Sequence, residues 1–248
     1  MTSLIIFLFF ISCSSIKKKD GFKPFDIASK RSFIYTDMTG SYFLNREAKK
    51  SQSKVVTRRK LFFKKQEKNY LEKTISISKI VQFNGNKPGI IPLISQHEIW
   101  FDKNKFFSQI SIDLKEKKAK VDLISPEKKW NGQQTFDLPK SNVYCFFTQL
   151  PECLKSYGIL HLLKNKENSI IPIALIWDIY PFHQEQFSNI KDNLVELAQI
   201  KRDDNRDNKI LRVNLELENQ IIIYHFTKRD KLEGMFWISQ GMSVKAIN

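Results

Sequence analysis

Polar and apolar positions alternate with a period of two along most of this chain, which is the signature of half-buried β-strands. Residues 73–81 alternate almost strictly, with Ile75, Ile77 and Lys79 sharing one face. In residues 106–114, Ile110, Ile112 and Leu114 share one face and Gln109, Ser111 and Asp113 the other. In residues 210–217, Leu211, Val213, Leu215 and Leu217 oppose Arg212, Asn214 and Glu216. Residues 32–35, 54–63, 94–101, 170–178, 193–201, 221–226, 232–239 and 244–247 are apolar, β-branched or aromatic enough to read as further strands. Short polar turns at 102–104, 218–220 and 228–230 and a charged one at 202–208 separate successive strands. Such turns predict antiparallel hairpins strung into a meander, with one face of the sheet buried and the other wet or lumenal.

The middle of the chain breaks this period. Ser141-Asn142 is a helix-start signal, residues 143–150 are apolar-rich, and Pro151 opens a second segment. There Cys153, Leu154, Tyr157, Leu160 and Leu163 recur at helical spacing. Two short helices, kinked at Leu150-Pro151, are expected to pack across the sheet. The predicted fold is mainly β with a helical insert at about 142–164: a curved antiparallel sheet or incomplete barrel, a β-meander, packed on one or two helices. Residues 31–248 form one domain. Residues 89–94 (Gly-Ile-Ile-Pro-Leu-Ile) echo residues 169–174 (Ser-Ile-Ile-Pro-Ile-Ala), which hints at a duplicated half-barrel or arises by chance in an isoleucine-rich chain. Either proline belongs at a strand start or on an edge, because it cannot donate to a central ladder.

Composition agrees with a packed core: 42% of residues are hydrophobic and 20 are Phe, against only 8 Gly and 8 Pro. That is not a disordered composition. The formal charge of +15 belongs to the body of the chain, since the first 13 residues carry no ionisable side chain except that of Cys13.

Residues 4–11 are an unbroken apolar run, too short to cross a bilayer but the length of a signal-peptide h-region. Cys13 follows Ser12, and a lysine-rich polar stretch comes next. Phe10-Ile11-Ser12-Cys13 resembles the lipobox of bacterial lipoproteins, in a relaxed form with Phe10 where Leu is preferred. The alternatives are an ordinary secretory signal or a buried apolar strand. The resemblance implies a signal peptide at 1–12, cleavage before Cys13, and lipidation of Cys13 by more than one acyl chain, as stable anchoring requires. Residues 13–30 would be a lipidated tether. In well-studied proteobacteria Ser14 would favour the outer membrane, so the expected location is the bacterial cell envelope, at the periplasmic face or the cell surface. Beyond the lipobox, the order of meander, central helix and meander over about residues 31–247 is similar to the lipoprotein-localisation carriers and related periplasmic β-rich families, in arrangement and not in motif.

Candidate chemistry is sparse. The chain has no glycine-rich phosphate loop, no serine flanked by glycines, and no histidine pair at metal spacing. No cofactor or metal is expected. His97-Glu98 lies in a strand, where neighbours point to opposite faces. Asp178, His183 and Glu185 are the one imaginable carboxylate–histidine set, and a polar loop is its simpler reading. With Cys13 assigned to lipid, Cys145 and Cys153 remain, either bridged, as an oxidising compartment allows, or two small buried residues. Between residues 46 and 73, eleven Lys and Arg face three Glu. Arg58, Arg59, Lys60, Lys64, Lys65 and Lys68 are candidates to meet anionic lipid or lipopolysaccharide, at roughly 1 kcal/mol per basic residue. For an exported protein, nucleic acid is not an expected partner. A second basic cluster runs through Lys115, Lys117, Lys118, Lys120, Lys128 and Lys129. The aromatic content suggests either a packed core or an apolar cavity for an acyl chain.

The leading expectation is a non-enzymatic, membrane-anchored envelope lipoprotein that binds lipid or another hydrophobic ligand. The alternative is a structural or adhesive surface lipoprotein without a cavity, and an envelope hydrolase comes third. Metabolic labelling with a fatty-acid analogue should mark the wild-type protein and not Cys13→Ala. Label retained on the variant would remove the lipobox reading.

Overall fold

The computed structural model describes residues 31–36, 42–63, 70–83, 87–101, 104–128, 131–166, 168–182, 193–203, 210–218 and 220–247. The signal segment, Cys13, the tether, Lys64, Lys65, Lys68, Lys129, His183 and Glu185 lie outside the described residues.

The protein is mainly β. Strands β1 (Arg31–Thr36), β2 (Tyr42–Lys50), β3 (Lys54–Phe63), β4 (Tyr70–Phe83), β5 (Lys87–Phe101), β6 (Asn104–Asp113), β7 (Lys118–Ile124) and β8 (Gly132–Asp137) form the first run. After β9 (Tyr144–Phe146) come a 3-10 turn (Phe147–Gln149) and two short helices, α1 (Leu150–Ser156) and α2 (Ile159–Asn165). Then β10 (Ile170–Ile176), β11 (Val195–Arg202), β12 (Ile210–Leu217), β13 (Gln220–Thr227), β14 (Leu232–Trp237) and β15 (Met242–Ala246) complete the chain.

All fifteen strands join in one sheet, ordered β8-β7-β6-β5-β4-β3-β2-β1-β15-β14-β13-β12-β11-β10-β9. Sequential neighbours are antiparallel hairpins, as the short turns require. Two pairings depart from this pattern, one by joining non-sequential strands and one by being parallel. β1 pairs antiparallel with β15, joining the two ends of the meander at Phe33–Ala246 and Tyr35–Val244. β9 pairs parallel with β10, with Tyr144 opposite Ala174. Both β9 and α1 pack against β5, so the sheet curls back over its own first half with the helices inside the curl. One hydrophobic cluster runs from Ile110 and Val121 through Leu150 and Leu160 to Leu215 and Trp237, which makes both halves a single core.

Strands with clear alternation lie where the sequence pattern predicts them, β3 and β12 to the residue. Three strands carry too little apolar signal to be read: β2, whose last five residues are Arg-Glu-Ala-Lys-Lys, β7 within the second lysine cluster, and polar β8. In β7 the lysines alternate with Ala119, Val121 and Leu123, which are buried.

Residues 143–150 are a correction. They are not helical up to Leu150 but a buried strand followed by a 3-10 turn. The Ala174 N–H donates to the Val143 carbonyl at 2.8 Å, and an apolar run this short serves a buried strand as well as a helix. The break between the helices falls at Gly158 and not at Leu150-Pro151. Gly158 has φ +69°, a left-handed conformation that glycine adopts at no steric cost, while Pro151 sits inside the first turn of α1. Pro172 lies on β10 beyond the stretch paired with β9, so no neighbour on that side needs its missing donor. Pro92 adjoins a register shift in β5.

The 3-10 turn and the start of α1 are held by a disulfide between Cys145 and Cys153, whose Cα atoms are 5.8 Å apart. Both cysteines are buried. Closing so short a loop restricts the unfolded chain by about 2–3 kcal/mol. Replacing both cysteines with serine should lower stability by about that amount in a urea titration. An unchanged midpoint would show that the bridge contributes nothing.

Candidate functional site

Along β4 and the middle of β5 the buried face of the sheet is polar. In β4 it is Glu72, Thr74, Ser76 and Ser78 that point inward, each 1% exposed or less, while Ile75 and Ile77 lie on the half-buried outer face. Ser95 and His97 on β5 and Ser108 on β6 continue the face. The register lines these residues up across strands: Thr57, Ser76 and Ser95 form one row, and Arg59, Thr74, His97 and Ser108 the next.

A polar face can be buried only if its groups find partners. Three residues of the insert and one from the turn after β10 supply most of them. Asp178, fully buried, accepts from the Thr148 N–H at 2.9 Å and from the hydroxyls of Thr148 and Ser76. Ser95 lies 3.0 Å from Ser76 and, with the Ser76 proton committed to Asp178, is the donor of that pair. Gln149 accepts from the Ser78 hydroxyl, while its amide donates to the Thr57 hydroxyl at 3.1 Å and the Val55 carbonyl at 3.3 Å. Glu152 takes both terminal nitrogens of Arg46, one at 2.9 Å, and Arg46 also donates to the Thr148 carbonyl at 3.2 Å. Thr148, Gln149 and Glu152 all lie within the disulfide loop.

Burial pushes the Asp178 carboxyl up, against the hydrogen bonds from Ser76 and Thr148 and the charge of Arg59. His97 is held neutral. Burial lowers it to about 4, with the nearby Glu72 charge opposing and the Arg59 charge reinforcing that effect. Its Nδ1 lies 3.0 Å from the Thr74 hydroxyl, and Phe182 covers the ring at 5.9 Å. Glu98, its neighbour in sequence, is on the outer face with Tyr70 and Lys105, as strand geometry requires.

Next to this network lies a cleft. It straddles the seam where β1 joins the two halves of the sheet. Leu44, Arg46 and Arg59 from β2 and β3 face Tyr224, Met235 and Val244 from β13, β14 and β15 across it. Phe147 and Thr148 of the 3-10 turn and Ile179 also line it. The cavity proper measures about 60 Å³, within a cleft of about 630 Å³ that includes the open mouth. The former is room for about two waters. Most of the interior is therefore filled. Phe147 and Trp177 pack with tilted rings at 4.7 Å between centroids, with Trp237 5.8 Å from Phe147.

The basic residues divide by strand alternation. Arg58 and Lys60 are exposed on the outer face of β3. Arg59 between them turns inward, its side chain 18% exposed, and pairs with Glu72 at 3.1 Å, so it is a cleft residue and not part of the surface patch. Asp178, the described member of the carboxylate–histidine set, is bonded into the sheet–insert network. No cluster of three or more His, Cys, Asp or Glu positioned for a metal occurs among the described residues, and no described helix is long and apolar enough to cross a membrane. Sequence reading missed Tyr224, Arg46 and the Thr148–Gln149–Glu152 set. Their roles depend on pairing across about a hundred residues of chain, and no local pattern marks them.

No protein-family model matches the chain, and no curated protein matches it. Among solved structures it is similar to a β-barrel-like protein of a domain of unknown function, DUF1849, from Brucella abortus. The identity is 9%, the alignment covers 89% of this chain and 96% of that one, and the TM-score is 0.44.

The state of His97 sets a pH dependence. An unfolded His97 titrates near 6.5 and the folded one near 4. Between these values the unfolded chain binds a proton that the folded chain does not, so stability falls as pH drops through that window. A gap of that size is worth about 3 kcal/mol. Asp178 acts in the opposite sense, because its raised folded pKa favours the folded state as acid is added. The measurement is therefore a difference: wild type should lose more stability than His97→Phe between pH 7 and pH 4. Parallel curves would contradict the assignment.

Proposed function

We propose that this chain is a non-enzymatic bacterial envelope lipoprotein, anchored at the outer membrane through Cys13, whose folded body binds a lipid or other hydrophobic ligand in the cleft at the sheet seam. The observation that carries the reading is the cleft itself. Its walls are largely apolar, and its exposed side is formed by the half-buried Leu232 and Met235. Methionine adapts its shape to varied apolar partners. Small-molecule sites are commonly built this way, mostly apolar with a few placed polar groups.

Three further features support the reading. A Cys145–Cys153 bridge suits an oxidising compartment such as the periplasm. Arg58 and Lys60, exposed on the outer face of β3, supply positive charge for anionic lipid or lipopolysaccharide. Asp178 is committed to Ser76 and Thr148, which favours a binding protein over a hydrolase. The rival reading, a structural or adhesive surface lipoprotein, draws on the small size of the cavity proper.

Lipid extraction and mass spectrometry of the protein purified from its own envelope should recover a single-chain lipid in near-stoichiometric amount. Met235→Trp, which fills the cleft mouth, should reduce the yield severalfold. An empty wild-type protein that also shows no saturable binding of radiolabelled long-chain alcohol or acid would leave the structural reading standing.

A further inference from the structure

The lining of the cleft is chemically mixed. Leu232 and Met235 are its half-buried apolar residues, Met242 is a buried one, and its polar residues include the buried Thr148 and Tyr224 and the part-buried Arg59. Tyr224 is 3% exposed, and its hydroxyl has no hydrogen-bond partner among the described residues. Burial pushes the phenol far above its ordinary range, so at neutral pH it is an O–H donor. Arg46 and Arg59 line the same cleft as Tyr224, and their charges act on its hydroxyl against that of the buried Asp178.

The two arginines are not equivalent. Arg46 gives both terminal nitrogens to Glu152 and the Thr148 carbonyl, so it is bound into the insert. Arg59 offers only Nη1 to Glu72, at 3.1 Å, and without hydrogen-bond alignment, since the Glu72 oxygen it faces accepts no hydrogen bond among the described residues. A guanidinium carries five N–H donors in a planar fork suited to a carboxylate. The polar side of the cleft thus holds an unused hydroxyl donor and a mostly unused guanidinium, with Thr148 already donating to Asp178. Among the described residues no acceptor meets the Tyr224 hydroxyl, and Arg59 faces the Glu72 carboxylate alone.

We infer that the cleft takes a free fatty acid head-first, with its carboxylate accepting hydrogen bonds from Tyr224 Oη and Arg59 and its single chain lying between Leu44, Met235, Met242 and Val244. This rests on the lipid-binding reading of the same cleft and adds the head group and the orientation. A carboxylate supplies the acceptors that both groups lack, and it is small enough for a cavity proper of about 60 Å³. The branched glycerol of a two-chain lipid is not. Hydrogen bonds to a charged acceptor in a water-poor site are among the stronger ones.

The test compares ligands of equal chain length on the full chain by equilibrium binding: palmitate, hexadecanol and a palmitoyl lysophosphatidate. Palmitate should bind at least tenfold tighter than hexadecanol. Tyr224→Phe removes one unpartnered hydroxyl and no packing atom, so it should weaken palmitate about tenfold without lowering the thermal midpoint. The double variant Arg59→Gln with Glu72→Gln keeps the buried pair neutral and should abolish the preference for the acid. Palmitate and hexadecanol binding alike would overturn the head-first orientation while leaving a lipid site in place. Binding of neither would overturn the lipid-binding reading as well. Tighter binding of the lysophosphatidate would replace the carboxylate with a phosphate head. A Tyr224→Phe protein that binds palmitate as wild type does would overturn the role of the hydroxyl.

Discussion

The fold depends on one set of hydrogen bonds, those between the buried Ser/Thr face of β4 and β5 and the segment Thr148–Gln149–Glu152 with Asp178. Hydroxyls sealed inside a sheet without partners would each cost about 1–3 kcal/mol. Ser76, Ser78, Ser95 and Thr57 escape that cost only because Asp178 and Gln149 accept and donate in their row. The network is directional where apolar packing is not, so it seats the insert at one position along the sheet. Removing a single member would strand several others, which makes the insert and the first half of the sheet one cooperative unit.

From that seat the rest of the architecture follows. The disulfide holds the three donor and acceptor residues on a short loop, and β9 can then pair with β10 and close over β5. The apolar side of the helices, with Leu150, Leu154 and Leu160, joins the aliphatic and aromatic core, α1 packing on β5 and α2 on β11. The interior is thus polar along β4 and the middle of β5, where the insert seats, and apolar elsewhere. The cleft lies where the two halves of the sheet meet at β1. Its two arginines come from the first half, and Tyr224 with the methionines comes from the second.

The fold class was legible because its signal is local. Period-two alternation and turn residues place β3, β4, β6, β12 and β13 without knowledge of any partner. The missed strands β2 and β8 show the limit. Their side chains are mostly polar, and they are strands because neighbouring strands satisfy their backbone groups. Tyr144–Phe146 is apolar enough for a helix or a strand, and pairing with β10 decides it.

The candidate site was legible only in part. The idea of an apolar space beside a helix came from the aromatic content, and the Cys145–Cys153 pair from counting. The sense of each sheet face was not legible. A strand such as β4, with Ile on one side and Ser/Thr on the other, has a strong period but no sign telling which side is buried, and hydropathy alone favours the wrong one. From sequence come the β-rich class, most of the strands, the central insert and the basic balance, since these follow from residue chemistry at short range. Tertiary structure alone decided that the serines face inward, that Arg59 leaves the basic surface for the cleft, and that Tyr224 sits opposite it. Those outcomes rest on hydrogen bonds and ion pairs between distant segments, which exist only once the sheet has curled around the insert.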